Sequence, residues 1–191
     1  WNAFLTQENV SLLEHIEKQT LNRPTTPSTE RVLHFMTLDP DKVKIVIIGQ
    51  DPYPQEGVAT GRCFEVGTLS DWSQPFRNVS LRNIIRLIYK TYYNQTLSFK
   101  DIVAWNNASK AILPPNELFK NWEYQGVLLL NTAFTCEIGI SASHSKIWNP
   151  FSNKLLNFIQ QINPNAHWIA WGNHARNILS SYKILNLHVS N

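Results

Sequence analysis

The clearest pattern of apolar and polar positions is an apolar run that ends in a rigid loop. Residues 45–54 read IVIIGQDPYP. The apolar part predicts a strand that is buried on both faces and stops at Gly49. The two prolines of the loop fix their own φ and bias the preceding residues toward extended conformations. Asp51 and Tyr53 are therefore expected in a stiff loop at the carboxyl end of a strand, where open α/β sheets bind ligands.

Further strand-like runs alternate with stretches of helical periodicity. Strands are predicted over residues 43–48, 127–130, 167–171 and 184–187. Apolar residues at helical spacing predict helices around residues 10–21, 81–92 and 151–162, and a short helix over 173–181. Residues 93–121 are interpreted as a long connection with some helix. The alternation favours βαβ units in an α/β fold with a parallel sheet.

Polar residues follow each predicted strand. Asp51 follows the first, Asn131 the second, Gly172 and Asn173 the third, and His188 the fourth. Because parallel strands bring their carboxyl ends to one edge of a sheet, an acid, an amide and an imidazole are expected to meet there. The alternative is that strand ends are polar simply because they meet water.

Composition narrows the class of protein without deciding the function. The 191 residues are 43% hydrophobic and 16% charged, as in a globular domain. The net charge of +3 is compatible with a nucleic-acid partner but too small to argue for one. Cys63 and Cys136 lack zinc-type spacing, which favours reduced thiols in a cytoplasmic or nuclear protein. The sequence shows no signal peptide and no apolar run of membrane length, so no membrane is expected as a partner.

Two motifs resemble those of the family 1 uracil-DNA glycosylases. They are GQDPYP at residues 49–54 and GVLLLNT at residues 126–132, and weaker similarity covers nearly the whole chain in the family's order. The resemblance implies a single α/β domain with a central four-stranded parallel sheet flanked by helices. It also implies hydrolysis of the bond between uracil and deoxyribose in single- or double-stranded DNA, as the first step of base excision repair. The base would be flipped into a pocket, and the enzyme would be a monomer without metal or cofactor.

The resemblance also assigns roles to residues of the candidate site. Asp51 would be catalytic, stabilising the cationic sugar and orienting the attacking water. His188, expected in a loop after the last strand, would be the second catalytic residue and donate a hydrogen bond to uracil O2. Asn131 would read the Watson–Crick edge of the base.

The remaining residues carried over from the family bind the base or the DNA backbone. Tyr53 would contact C5 of the base and exclude thymine, Phe64 would stack on its face, and backbone groups of Gln50 would help to hold O2. The positions that match phosphate contacts of the family are Ser80, His144 and Ser190.

Departures from the family keep a second hypothesis open. The family usually has His-Pro-Ser-Pro in the final loop, whereas this chain has His-Val-Ser-Asn at residues 188–191. Residues 1–191 are expected to form one uracil-DNA glycosylase-like domain that lacks the family's C-terminal segment. The alternative is a catalytically weakened member that acts as a DNA-binding or protein-interaction scaffold. A metal-dependent hydrolase using Asp51 finds no support, since no carboxylate cluster or ligand spacing accompanies it.

Overall fold

A computed structural model describes residues 1–20 and 22–190, without the side chain of Ser190. The strands in these residues are β1 Thr25–Thr26, β2 Ile45–Gly49, β3 Val127–Asn131, β4 Cys136–Glu137, β5 His167–Trp171 and β6 Asn186–Ser190. Four of them form one parallel sheet in the order β3-β2-β5-β6, and β1 pairs with β4 in a small antiparallel ribbon. The predicted α/β fold with a four-stranded parallel sheet is confirmed.

Helices cover both faces of the sheet. They are α1 Gln7–Thr20, α2 Val79–Tyr93, α3 Phe99–Ser109, α4 Pro115–Tyr124, α5 Ser145–Ile162 and α6 Asn173–Leu179. One apolar cluster joins Val46 and Ile48 of β2 to buried residues of α1 and α5. The other joins Ile47 to buried residues of α2, α3 and α4. Alternate residues of β2 thus enter opposite cores, as expected for a strand covered on both faces.

The segment from residue 93 to 121 is more regular than the sequence analysis expected. It contains α3 and most of α4. Ser98 caps α3, because its Oγ accepts a hydrogen bond from Asp101 N at 3.2 Å and donates one to Asp101 Oδ2 at 2.6 Å. Pro115 is the first residue of α4, where its missing N–H costs nothing. Both start signals are present in the sequence, so the interpretation of residues 93–121 as mainly a connection was wrong.

The last strand begins two residues later than predicted. The sequence analysis placed it at residues 184–187, but β6 runs from Asn186 to Ser190. In the ladder Leu187 lies beside the fully buried Trp168 and Val189 beside Ala170, so the apolar residues alternate with His188 along the strand. His188 is therefore inside β6, and its predicted position in a following loop was wrong. Within residues 1–20 and 22–190, no helix has the length and apolar character to cross a membrane.

Candidate active site

A pocket of about 190 Å³ lies at the carboxyl ends of β2 and β3. Most of the residues that the sequence analysis named for the site line it, and they come from distant parts of the chain: Gln50, Asp51, Tyr53, Phe64, Ser80 and Asn131. Gly49, Pro52, Pro54 and Ser141 complete the lining. The expected meeting of an acid and an amide at this edge of the sheet is therefore present in the structure.

The carboxylate of Asp51 is held in place by the loop before α5. Its Oδ2 accepts hydrogen bonds from Ser141 Oγ at 2.8 Å and from the backbone N–H of Ala142 at 2.5 Å. Ala142 has φ +61°, in the left-handed region, which costs an L-residue about 1–2 kcal/mol. Strained backbone of this kind is common at functional sites. Sequence reasoning missed Ser141, since nothing in the sequence pairs this serine with an acid 90 residues away.

Asn131 forms the floor of the pocket. It ends β3, is paired with Gly49 of β2, and is only 4% exposed. A Cβ atom at Gly49 would overlap Asn131 Oδ1 and lie 2.6 Å from Cys63 Cβ. Gly49 is therefore required by the close approach of the amide. A buried amide offers one acceptor and two donors to a bound ligand, which is suited to a planar group with a mixed hydrogen-bonding edge.

Two aromatic side chains form the walls. The hydroxyl of Tyr53 donates a hydrogen bond to the backbone oxygen of Phe64 at 3.4 Å, and burial raises the pKa of Tyr53 to about 12. The phenol therefore stays protonated at neutral pH. Phe64 has φ +64°, and its ring makes an edge contact with Trp171 at 5.8 Å between centroids. These contacts hold both rings in position before any ligand binds.

A histidine that the sequence analysis gave no role supports the loop of Asp51. The hydroxyl of Thr132 donates a hydrogen bond to Gln50 O at 3.0 Å, and its oxygen lies 2.9 Å from His174 Nε2. Since the hydroxyl proton of Thr132 already forms the hydrogen bond to Gln50 O, Nε2 of His174 is the donor in the hydrogen bond between His174 and Thr132. Burial lowers the pKa of His174, against the opposing effect of the Asp51 charge, so the ring is neutral at pH 7.

His188 lies outside the pocket. It pairs with Ile169 in the middle of β5, and its Nε2 is 2.8 Å from Nδ1 of His167 at the start of that strand. The pocket is at the opposite end of the sheet, and the four residue steps from His167 to Trp171 span about 13 Å. The prediction that the His188 imidazole meets Asp51 and Asn131 was therefore wrong. The physical reason is the register of β6, which directs the ring toward the amino end of β5.

The three predicted phosphate contacts have different outcomes. Ser80 is exposed, lies in the first turn of α2 and lines the pocket, which is compatible with an anion at a helix N-terminus. His144 is 2% exposed, and its Nδ1 lies 2.9 Å from Thr135 Oγ1. Because the His144 side chain is enclosed in the protein, it is not available at the surface to contact a phosphate, and that prediction was wrong. Burial also lowers the pKa of His144. The side chain of Ser190 lies outside the described residues.

The two cysteines are structural in this arrangement. Cys63 and Cys136 are free thiols inside the protein, as predicted. Burial raises the pKa of both, that of Cys136 to about 12, where the charge of Asp51 adds to the effect. Neither is a thiolate nucleophile at neutral pH. Among residues 1–20 and 22–190, no group of three or more histidine, cysteine, aspartate or glutamate side chains is placed to hold a metal ion.

Fold and site together define an α/β protein with a preformed pocket at the carboxyl edge of a parallel sheet. Comparison with known families makes this class specific. Residues 35–189 match the family model described as Uracil DNA glycosylase superfamily. The match covers well over half of the chain, and the chain belongs to this superfamily.

Individual relatives agree with the family match. The chain is 31% identical to uracil-DNA glycosylase 2 of Streptomyces coelicolor over 86% of its length, and 34% identical to the uracil-DNA glycosylase of Equine herpesvirus 2 over 91%. It spans 64% and 60% of the lengths of these two relatives. Among solved structures it is similar to the wild-type UNG of Nitratifractor salsuginis, with a TM-score of 0.74, 29% identity, and coverage of 95% of this chain and 76% of that one.

Proposed function

We propose that the chain hydrolyses the N-glycosidic bond of uracil in DNA and leaves an abasic site, a reaction of base excision repair. One observation carries this proposal: a carboxylate, a buried amide and two fixed aromatic rings surround a single pocket of about 190 Å³. The relatives named as uracil-DNA glycosylases support it, since they match most of this chain.

The chemistry follows from the position of the carboxylate. When the bond between the sugar and uracil breaks, its electron pair leaves with the base, and the sugar becomes an oxocarbenium-like cation. Asp51, held at Oδ2 by Ser141 and Ala142, supplies a negative charge close to that cation and can orient the water that attacks it. Because these hydrogen bonds exist before binding, little reorganisation is needed in the transition state.

Specificity for uracil depends on the floor and the walls of the pocket. The amide of Asn131 can accept a hydrogen bond from N3–H and donate one to O4 of uracil, whereas cytosine presents the opposite pattern at both positions. Tyr53 closes the pocket where the methyl group of thymine would lie. Phe64 provides a face for stacking, which contributes about 1–3 kcal/mol per base.

His188 takes no part in the proposed stabilisation of the leaving uracil anion, because it lies outside the pocket. The carbonyl of Gln50 already accepts hydrogen bonds from Thr132 and Ala133, which fixes the peptide planes of the loop. We propose that the backbone N–H of Gln50 faces O2 of the base. Removal of one such donor typically costs about 10²–10³ in rate, so its contribution is substantial but not indispensable.

The proposed substrate is uracil-containing DNA, single- or double-stranded, bound by a monomer. Ser80 at the start of α2 would contact a phosphate next to the flipped nucleotide. Action on DNA would place the protein in the cytoplasm, or in the nucleus of a eukaryotic cell.

Uracil release from a single-stranded oligonucleotide tests the proposal directly, because an unpaired base need not be extracted from a duplex. The wild-type chain should release uracil, and Asp51→Asn should slow release strongly. The exposed Asp41 offers a matched control, since Asp41→Asn makes the same chemical change at a residue that does not line the pocket. Undiminished release in excess chelator would exclude the metal-dependent alternative. Absence of release by the wild-type chain would refute the proposal.

The position of His188 favours a second candidate, a family member that binds DNA without efficient catalysis. Its imidazole contacts His167 rather than the pocket, so one expected donor is missing from the site. The same oligonucleotide distinguishes the two functions. Tight binding of single-stranded DNA with no release of uracil would support the scaffold, and release would contradict it.

A further inference from the structure

A second groove opens directly beside the candidate active site. It has a volume of about 490 Å³, within the range of about 300–1,000 Å³ typical of small-molecule sites. Phe64 and Ser80 line both the groove and the pocket, so the two adjoin. The groove runs along α2 to the end of β5, where Trp171 and Gly172 line it. None of the roles proposed for the pocket accounts for it.

The rim of this groove is positively charged. Arg86 and Lys90 are one helical turn apart on α2, both are exposed, and no acidic residue lines the groove. All three charged residues of α2 are basic, the third being Arg82. Within the described part of the chain, neither Arg86 nor Lys90 forms an ion pair. Two cations without acidic partners are suited to bind a negatively charged group such as a phosphate.

The groove also has apolar surface that the core does not cover. Trp171 is half-buried and Leu87 is 41% exposed. The ring of Trp171 contacts that of Phe64, so aromatic surface continues from the pocket into the groove. An aromatic surface beside unpaired cations is the combination that binds single-stranded nucleic acid, in which bases stack on rings and phosphates meet basic side chains.

We propose that this groove binds a nucleotide that flanks the uracil on the same DNA strand. The base of this neighbour packs against Trp171, and its phosphate contacts Arg86 and Lys90. The occupant follows from two observations: the rim of the groove is positively charged, and the groove lies next to the pocket, with Phe64 and Ser80 lining both. This inference rests on the proposed function, because it extends the substrate of the same site from one flipped base to a short stretch of strand.

The first test compares substrates of different length. One has uracil in a minimal trinucleotide, and the others extend the strand by several nucleotides on its 5′ or its 3′ side. For the wild-type chain one extension should raise kcat/KM, and Arg86→Gln/Lys90→Gln should reduce that gain. The slope of log affinity against log salt should become shallower by about 0.7 for each cation removed. Lys18→Gln/Lys120→Gln is the matched control, since it removes two exposed lysines from α1 and α4, outside the groove.

The second test addresses stacking. Trp171→Leu should reduce the gain in kcat/KM from the extended strand roughly 5- to 150-fold, which corresponds to a stacking contribution of about 1–3 kcal/mol. Trp171→Phe keeps an aromatic ring and should retain most of the gain. If both Trp171 variants and the Arg86/Lys90 variant respond to strand length and salt as the lysine control does, the groove proposal is overturned.

Failure of the groove can be distinguished from failure of the proposed function. If the wild-type chain releases no uracil from any substrate, the proposed function fails, and the groove is then tested with uracil-free single-stranded DNA by fluorescence anisotropy. Weaker binding by Arg86→Gln/Lys90→Gln than by the lysine control would support the groove. Equal binding by the two variants would overturn it.

Discussion

The close approach of Gly49 and Asn131 makes Gly49→Ala a sharp test of how the pocket is built. The new Cβ atom would overlap Asn131 Oδ1 and lie 2.6 Å from Cys63 Cβ. Ordinary van der Waals contact begins at 3.4 Å, so the shortfall against Cys63 alone is about 0.8 Å. Since Cys63 is 1% exposed and part of the core, the Asn131 amide is the group expected to move.

The size of the effect follows from this geometry. Overpacking of a filled core costs about 1–3 kcal/mol in the free energy of unfolding. A displacement of about 1 Å in a group that positions the substrate costs about 10²-fold in rate. Gly49→Ala should therefore lower kcat/KM for uracil release about 100-fold, while the chain still folds.

The assay combines urea unfolding with the kinetics of uracil release. Gly57→Ala is the control, because that glycine has φ +74° and no atom within 4 Å of the added Cβ. It should lose stability through backbone strain but leave the pocket intact. If Gly49→Ala releases uracil as fast as Gly57→Ala does, the proposed role of the Asn131 amide in holding the base is wrong.

Two further predictions concern specificity and pH. Asn131→Asp should release cytosine, because a carboxylate accepts a hydrogen bond from the N4 amino group of that base. Tyr53→Ala should release thymine, because the side chain that excludes its methyl group is gone. Strict specificity for uracil in both variants would contradict the pocket assignment. Burial lowers the pKa of His144 and His174 in the folded state, so the unfolded chain binds these protons more readily. Their contribution to stability is complete above the ordinary histidine pKa of 6.5 and is lost as the pH falls toward their folded values. The urea midpoint of unfolding should be lower at pH 5.5 than at pH 7.5, and His144→Asn should make this difference smaller. The same difference in His144→Asn as in the wild-type chain would refute the contribution of His144.

Much of the fold was predictable because its signals are local. The apolar runs around residues 45–49 and 127–131 identified the central strands, and strands of one parallel sheet bring Asp51 and Asn131 to the same edge. The start signals of α3 and α4, the cap at Ser98 and the proline at the first helical position, Pro115, are equally local, although the sequence analysis did not predict these two helices.

The parts of the site that escaped prediction depend on long-range contacts. The register of β6 is set by its pairing with β5, so sequence spacing alone could not show that His188 turns toward His167. The hydrogen bonds of Ser141 to Asp51 and of His174 to Thr132 join residues 90 and 42 positions apart. A resemblance can name such residues, but only tertiary packing shows which of them meet.

The central claim is that Asp51 stabilises a cationic sugar as uracil leaves. Its most direct test is the single-turnover rate of uracil release from single-stranded DNA by the wild-type chain and by Asp51→Asn, with Asp41→Asn as control. The account predicts a fall of at least about 10²-fold for Asp51→Asn and an unchanged rate for the control, since the loss of one electrostatic group of this kind removes about 2.7–4 kcal/mol of transition-state stabilisation. Equal rates for wild type and Asp51→Asn would contradict it.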